Sequence, residues 1–315
     1  MESKYKIIFW GSSAFALPSL QALTERGWRP LAVITQPDKP VGRKRSLTPT
    51  PVKKLAAELN LPIYSPDAAN SKKTAALIKK LSPDAMVVAA YGQILSSEIL
   101  ALPKHGTLNV HASLLPLYRG ASPIQQAILE GVKKTGVTIM LMDEKMDHGA
   151  ILSQQSLKIN PSDTSESLSA KLAILGGELL IQTLPHWLKG EVKARTQDHQ
   201  AATYTKIINR ADGLIDWHWP SEKIERLIRA YYPWPGAYTK WRGQTLKIHQ
   251  AAVSRVKAAA PAGQVAMGDD GEALVGTGEG GLALKQIQLA GGKILAARDF
   301  LFGHPDFIGA KLGSS

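Results

Sequence analysis

The chain has 315 residues, 44% hydrophobic and 20% charged, with no cysteine. That suits a packed protein of about two domains and excludes disulfide frameworks, cysteine-bound zinc and thiol nucleophiles. With 38 Lys plus Arg against 26 Asp plus Glu the net charge is +12, which makes a polyanion such as nucleic acid a candidate partner.

The start, MESKYKIIFWGSS, enters strand-like sequence without a signal cleavage pattern. No apolar run approaches the roughly 18 residues that span a bilayer, so a cytoplasmic chain with no membrane partner is expected. Tyr5 to Trp10 reads as a strand ending at Gly11, SSAFALPSLQAL has a helical period, and Leu31 to Thr35 is strand-like again. The turn after the first strand lacks the second and third glycines of a dinucleotide fingerprint, so no NAD is expected. From Gln36 to Lys54 six positive residues (Lys39, Arg43, Lys44, Arg45, Lys53 and Lys54) stand against Asp38 alone. Pro51 to Leu59 reads as a helix with Thr50 as its cap, and Lys72 to Leu81 as another.

Further strands are expected at Asp84 to Tyr91, Thr107 to Val110 and Gly136 to Met142, with a helix at Ser122 to Leu129 and a long one from Thr164 to about Trp187. This alternation predicts an α/β fold, a Rossmann-like open and mainly parallel sheet, over residues 1–188. Residues 189–205 have no apolar period and read as a linker. Residues 206–315 hold short alternating runs between glycine-rich turns, with one helical stretch, SEKIERLIRAYY, and predict a small C-terminal β-barrel, OB-like in type. Trp217, Trp219, Trp234 and Trp241 are base-stacking candidates there, although core packing is their commoner use.

The densest polar constellation is NVHASLLPLYRG, from Asn109 to Gly120, at a strand end. Residues two apart on a strand share a face, so Asn109 and His111 point at one spot. An amide donor beside an imidazole suits acyl transfer, where an oxyanion develops and a proton moves near neutral pH. The next strand runs into DEKMDHG, so carboxylates are expected at the same edge of a parallel sheet. Asp143, Glu144 and Asp147 are rival proton acceptors there. The histidines show no metal-ligand spacing, and no metal is expected.

These segments resemble the methionyl-tRNA formyltransferases, a family of 10-formyltetrahydrofolate-dependent enzymes, over nearly the whole chain. The likeness rests on NVHASLLPLYRGASPIQQAI, TGVTIMLMDEKMDHGAIL, TQPDKPVGRKR with PTPVKKLA, AYGQIL, and ATYTKIINRADGLIDW followed by IRAYYPWPGAY. It implies Asn109, His111 and Asp147 as the catalytic set in a formyltransferase domain at 1–188. It implies Ser113, Leu114, Leu115, Pro116, Tyr91 and Gly92 at the folate, and Arg43, Lys44 and Arg45 at initiator methionyl-tRNA. The domain at 206–315 would bind tRNA, and a monomer is expected. Two positions depart from the family pattern: Tyr118 stands where Trp is frequent, and Ser96 where Pro is usual. Rival readings are a sugar-nucleotide formyltransferase, disfavoured by the basic loop and C-terminal domain, and a non-catalytic RNA-binding protein, disfavoured by the intact Asn, His and Asp.

Overall fold

The computed structural model describes residues 4–42, 45–254, 260–268 and 271–313. In chain order the strands are β1 (Ile7–Gly11), β2 (Ala32–Ile34), β3 (Lys39–Val41), β4 (Ser46–Thr48), β5 (Ile63–Tyr64), β6 (Ala85–Ala89), β7 (Thr107–His111), β8 (Arg119–Gly120), β9 (Lys134–Leu141), β10 (Ile151–Lys158), β11 (Tyr204–Thr205), β12 (Ala237–Trp241), β13 (Gln244–Val253), β14 (Val265–Met267), β15 (Ala273–Gly276), β16 (Gly281–Leu289) and β17 (Leu295–Ala296). The helices are α1 (Leu17–Glu25), α2 (Pro51–Glu58), α3 (Lys72–Leu81), α4 (Ser97–Leu100), α5 (Pro123–Glu130), α6 (Ser165–Leu188), α7 (Ser221–Ala230) and α8 (Ala297–Gly303). The chain divides into two compact units. One holds Met1–Pro123, Lys134–Lys158 and Ser169–Thr205; the other holds Ile124–Lys133, Ile159–Leu168 and Lys206–Ser315.

The first unit is built on a seven-stranded mixed sheet in the order β10-β9-β7-β6-β1-β2-β5. β1 and β6 are buried along their whole length, which is why they read as unbroken apolar runs rather than alternating ones. Ile8, Trp10, Ile34, Met86, Val88 and Tyr91 belong to one core cluster. Within it Tyr91 meets Trp10 edge-on, with ring centroids 5.0 Å apart. The expected cap forms at α2, where Thr50 Oγ1 accepts from the Lys53 amide at 3.0 Å. In α6 the pair Gly176 and Gly177 permits close packing: a Cβ on the first would lie 2.7 Å from Val110 Cγ1, and on the second 2.8 Å from the Pro18 carbonyl.

One expectation is corrected. The pairs β6–β7, β1–β6, β1–β2 and β2–β5 are parallel, but β9 runs antiparallel to β7, and β10 antiparallel to β9. β9 therefore does not deliver its following loop to the carboxyl edge of a parallel sheet. Apolar patterning marks a strand but carries no information on its direction, and antiparallel edge strands are common on otherwise parallel sheets. β10 was not expected from the sequence because its second half is largely exposed and polar.

The second unit holds a curled six-stranded antiparallel sheet in the order β12-β13-β16-β15-β14, with β17 beside β16. Register shifts at Ile248, Gln250 and Ala251 bend the long β13. Trp217 and Trp241 are core residues: Trp217 donates to Thr239 Oγ1 at 3.0 Å, and Trp241 packs edge-on against Phe300 and Phe307. Trp234 is exposed, and Trp219 lies under the Lys223 ammonium. Among the described residues no helix is long and apolar enough to cross a membrane.

Candidate active site

Along β7 every residue is buried except Asn109, which is half-buried. Strand alternation puts its side chain on the same face as His111, with Cα atoms about 7 Å apart. The Asn109 amide has no hydrogen-bond partner among the described residues, so its donors are available to a ligand. His111 is 6% exposed and its Nε2 lies 3.2 Å from the Tyr118 carbonyl oxygen. A carbonyl only accepts, so Nε2 carries the proton and the ring's free choice is confined to Nδ1.

The turn that supplies this carbonyl is held by several hydroxyls. Thr138, opposite His111 in the sheet register, donates to the Ser113 carbonyl at 2.7 Å and accepts from the Leu115 amide at 3.1 Å and Gln154 Nε2 at 3.0 Å. Ser113 Oγ donates to the Leu117 carbonyl at 2.5 Å. Beyond the turn, β8 pairs in parallel with β11, and the Tyr118 amide donates to Thr203 Oγ1 at 2.8 Å.

Asp147 reaches the same place by another route. Leu141, the last residue of β9, lies opposite Leu108, three residues and about 10 Å short of His111 along β7. The loop from Met142 to Ala150 covers that distance and brings Asp147 Oδ1 to 3.6 Å from His111 Nδ1, while Oδ2 accepts from the Gly120 amide at 2.7 Å. The first is an ion-pair separation, longer than a hydrogen bond. Asp147 sits at φ 49°, in the left-handed region. The rival acids are placed elsewhere: Asp143 accepts from His148 Nδ1 at 2.6 Å, and Glu144 is exposed.

Gly149 closes the loop where only hydrogen fits, since a Cβ there would lie 1.8 Å from the Leu141 carbonyl oxygen, a backbone atom that cannot swing away. Gly149→Ala is expected to destabilise the protein by about 3 kcal/mol, measurable as a lowered urea midpoint at unchanged slope.

Beside this loop is a cavity of about 460 Å³ lined by Ser97, Leu100, Ala101, Met142, Asp143, Glu144, Lys145 and His148. None of the six residues expected at the folate lines it. Tyr91 is buried with no partner for its hydroxyl among the described residues, and burial pushes that hydroxyl up to about 12. The Tyr91 carbonyl accepts from Ser12 Oγ and Gln36 Nε2 at 2.9 and 2.8 Å. Gly92 has φ 90°, and a Cβ there would fall 2.5 Å from Gln36 Nε2. The turn after β1 is tied to the turn after β6, the Ser12 and Ser13 amides both donating to the Ala90 carbonyl. Arg45 is exposed in the β3–β4 hairpin, whereas Arg43 and Lys44 lie outside the described residues. No cluster of three or more His, Asp or Glu side chains among the described residues could hold a metal.

The sequence reading missed Thr138, the Tyr118 carbonyl and Gln197. Gln197 falls in the stretch expected as a linker, yet it is 4% exposed and its Nε2 donates to the carbonyls of Asp147 and Gly149. A polar run carries no sequence signal of burial, so nothing local could have marked it.

The profile of the Formyl transferase family matches residues 5–184, and that of the Formyl transferase C-terminal domain matches 207–305. The methionyl-tRNA formyltransferase of Chloroflexus aurantiacus is 44% identical over 305 residues, covering 96% of this chain and 98% of the relative. That of Halalkalibacterium halodurans is 46% identical over 300 residues, covering 95% and 94%. Among solved structures, an N-formyltransferase from Helicobacter canadensis in complex with folinic acid and dTDP-3-aminofucose superposes with a TM-score of 0.66 at 19% identity, over 89% of this chain and 98% of that one, which speaks to the fold alone.

Proposed function

This chain belongs to the formyl transferase family, and on that premise we infer that it transfers the formyl group of 10-formyltetrahydrofolate to the α-amino nitrogen of initiator methionyl-tRNA, giving N-formylmethionyl-tRNA for translation initiation. One observation carries the chemistry: an unpartnered amide shares a strand face with an imidazole whose Nδ1 meets a carboxylate. The acceptor follows from full-length similarity to methionyl-tRNA formyltransferases.

Direct transfer needs no side-chain nucleophile. An α-amino group titrates at roughly 7.7 to 8.0 when unperturbed, so a usable neutral fraction exists and alignment is the main task. The amine attacks the formyl carbon, and the Asn109 amide, with the His111 ring when it is protonated, donates to the tetrahedral oxyanion. Asp147 orients His111 and takes the proton that the amine loses. Collapse breaks the bond between the formyl carbon and N10, and the proton that Asp147 took from the amine passes to N10, so that tetrahydrofolate leaves.

The cavity beside the Asp147 loop has the size of a small-molecule site, and its carboxylates suit the N–H donors of a pterin while Lys145 suits an anionic tail. Ser113, Leu114, Leu115 and Pro116, with Tyr91 and Gly92, are proposed to contribute to folate binding through the rigid turns that follow β7 and β6. Residues 1–188 would form the catalytic domain and 189–205 a linker. The curled sheet within 206–315 would act as an OB-like barrel against tRNA. The reading implies a monomer working in the cytoplasm.

Arg43, Lys44 and Arg45 are proposed to touch tRNA phosphates. Changing all three to Ala is expected to weaken tRNA binding and to lower the slope of log affinity against log salt by about 2 to 3, with the KM for folate unchanged. A filter-binding salt titration measures this, and an unaltered slope removes these residues from the tRNA contact. The function as a whole is tested by incubating the protein with 10-formyltetrahydrofolate and either charged initiator tRNA or an amino-sugar nucleotide. Tetrahydrofolate release with the tRNA alone is expected; release with the sugar alone overturns the assignment.

A further inference from the structure

Arg119 is 1% exposed and has no carboxylate partner among the described residues. Its Nε and Nη2 donate to Gln197 Oε1 at 3.2 and 2.7 Å, Nη2 also donates to His199 Nδ1 at 2.9 Å, and Nη1 donates to the Tyr204 hydroxyl at 3.2 Å. Buried guanidinium groups ordinarily sit against Asp or Glu, and a glutamate at 197 would be the isosteric choice. The far end of Gln197 explains the amide. Its Nε2 spends its donors on two backbone oxygens, those of Asp147 at 2.9 Å and Gly149 at 2.7 Å. A carboxylate would hold Arg119 equally well but would turn a lone pair on those carbonyls.

What Gln197 grips is a residue of the site with left-handed backbone. Asp147 lies at φ 49°, and its two ends are tied separately, the carbonyl to Gln197 and the carboxylate to the Gly120 amide. Gly120 directly follows Arg119 in β8, so one side-chain pair fixes both the loop carrying the acid and the strand carrying its donor. We propose that Gln197 is a positioning residue for formyl transfer. It holds the Asp147 backbone in the left-handed conformation that aims the carboxylate at His111, and that task is why an amide faces a buried arginine. The inference rests on the reading of Asp147 given under the proposed function.

Gln197→Glu separates positioning from stability. The new carboxylate pairs with Arg119, so the melting temperature is expected to hold or rise. Misplacement of Asp147 should lower kcat for formyl transfer by about tenfold or more while KM for both substrates stays within about twofold. Hydrogen exchange at the Gly120 amide should quicken by about tenfold as its acceptor moves. Unchanged kcat together with unchanged Gly120 exchange overturns the inference. Should Gln197→Glu fail to fold, the double variant Arg119→Met with Gln197→Leu removes the buried charge and the carbonyl donors together, and the same readouts apply with the same expected direction. If the unaltered protein formylates no methionyl-tRNA, the functional reading falls, whereas Gly120 exchange in the variant still decides whether Gln197 holds the loop.

Discussion

Asp147→Asn is expected to lower kcat for formyl transfer by about 10³-fold while leaving the melting temperature within about 2 °C of the unaltered protein. His111 Nε2 faces the Tyr118 carbonyl, and its Nδ1 faces the Asp147 carboxylate. Only the doubly protonated ring places a donor at each nitrogen. An asparagine keeps the shape: its oxygen still accepts from the Gly120 amide, and its NH₂ group turns toward Nδ1. The ring is then satisfied as the neutral Nε2–H tautomer, its Nδ1 occupied as an acceptor with no proton for the oxyanion. The acceptor for the amine proton is lost in the same change. Steady-state kinetics of the variant checks the rate, and histidine ¹⁵N shifts check the tautomer. A variant with kcat within about threefold of the unaltered enzyme would remove Asp147 from the mechanism.

The second large effect is expected at Asn109. Asn109→Ala should reduce kcat by about 10²- to 10³-fold, equivalent to about 3 to 4 kcal/mol of transition-state stabilisation, with little change in KM. The amide makes no hydrogen bond to another described residue, so its removal breaks no internal bond, and the loss is confined to what it does for a ligand. Asn109→Asp is the sharper variant. It keeps the volume but presents oxygen to a developing oxyanion, and it should be slower than Asn109→Ala. Parallel losses in kcat and thermal stability for Asn109→Ala would mean that the residue serves the fold instead.

Much of the site was legible in the primary structure because it is written in local chemistry. An Asn and a His two apart at the end of an apolar run must share a face, and β7 obeys that rule. The unbroken apolar runs of β1 and β6 announced strands covered on both sides, and Thr50 before Pro51 announced the start of α2. The choice among Asp143, Glu144 and Asp147 was not available from spacing. It depends on a loop of nine residues that runs back along β7 because β9 is antiparallel, and hydropathy is blind to strand direction. The same blindness hid β10, whose exposed polar half looks like loop, and Gln197, whose burial is created by Arg119 and Asp147 approaching from distant parts of the chain.

The sequence by itself determined which groups could do chemistry: oxygen, nitrogen and carboxylate, no thiol, with a donor pair fixed on one strand face by the two-residue period. Only the tertiary structure decided which carboxylate meets the imidazole, which nitrogen of His111 faces a carbonyl and which faces that carboxylate, and which distant groups bond to Asp147. Those are distances between residues far apart along the chain, and they are set by strand direction and loop closure, which no local pattern encodes.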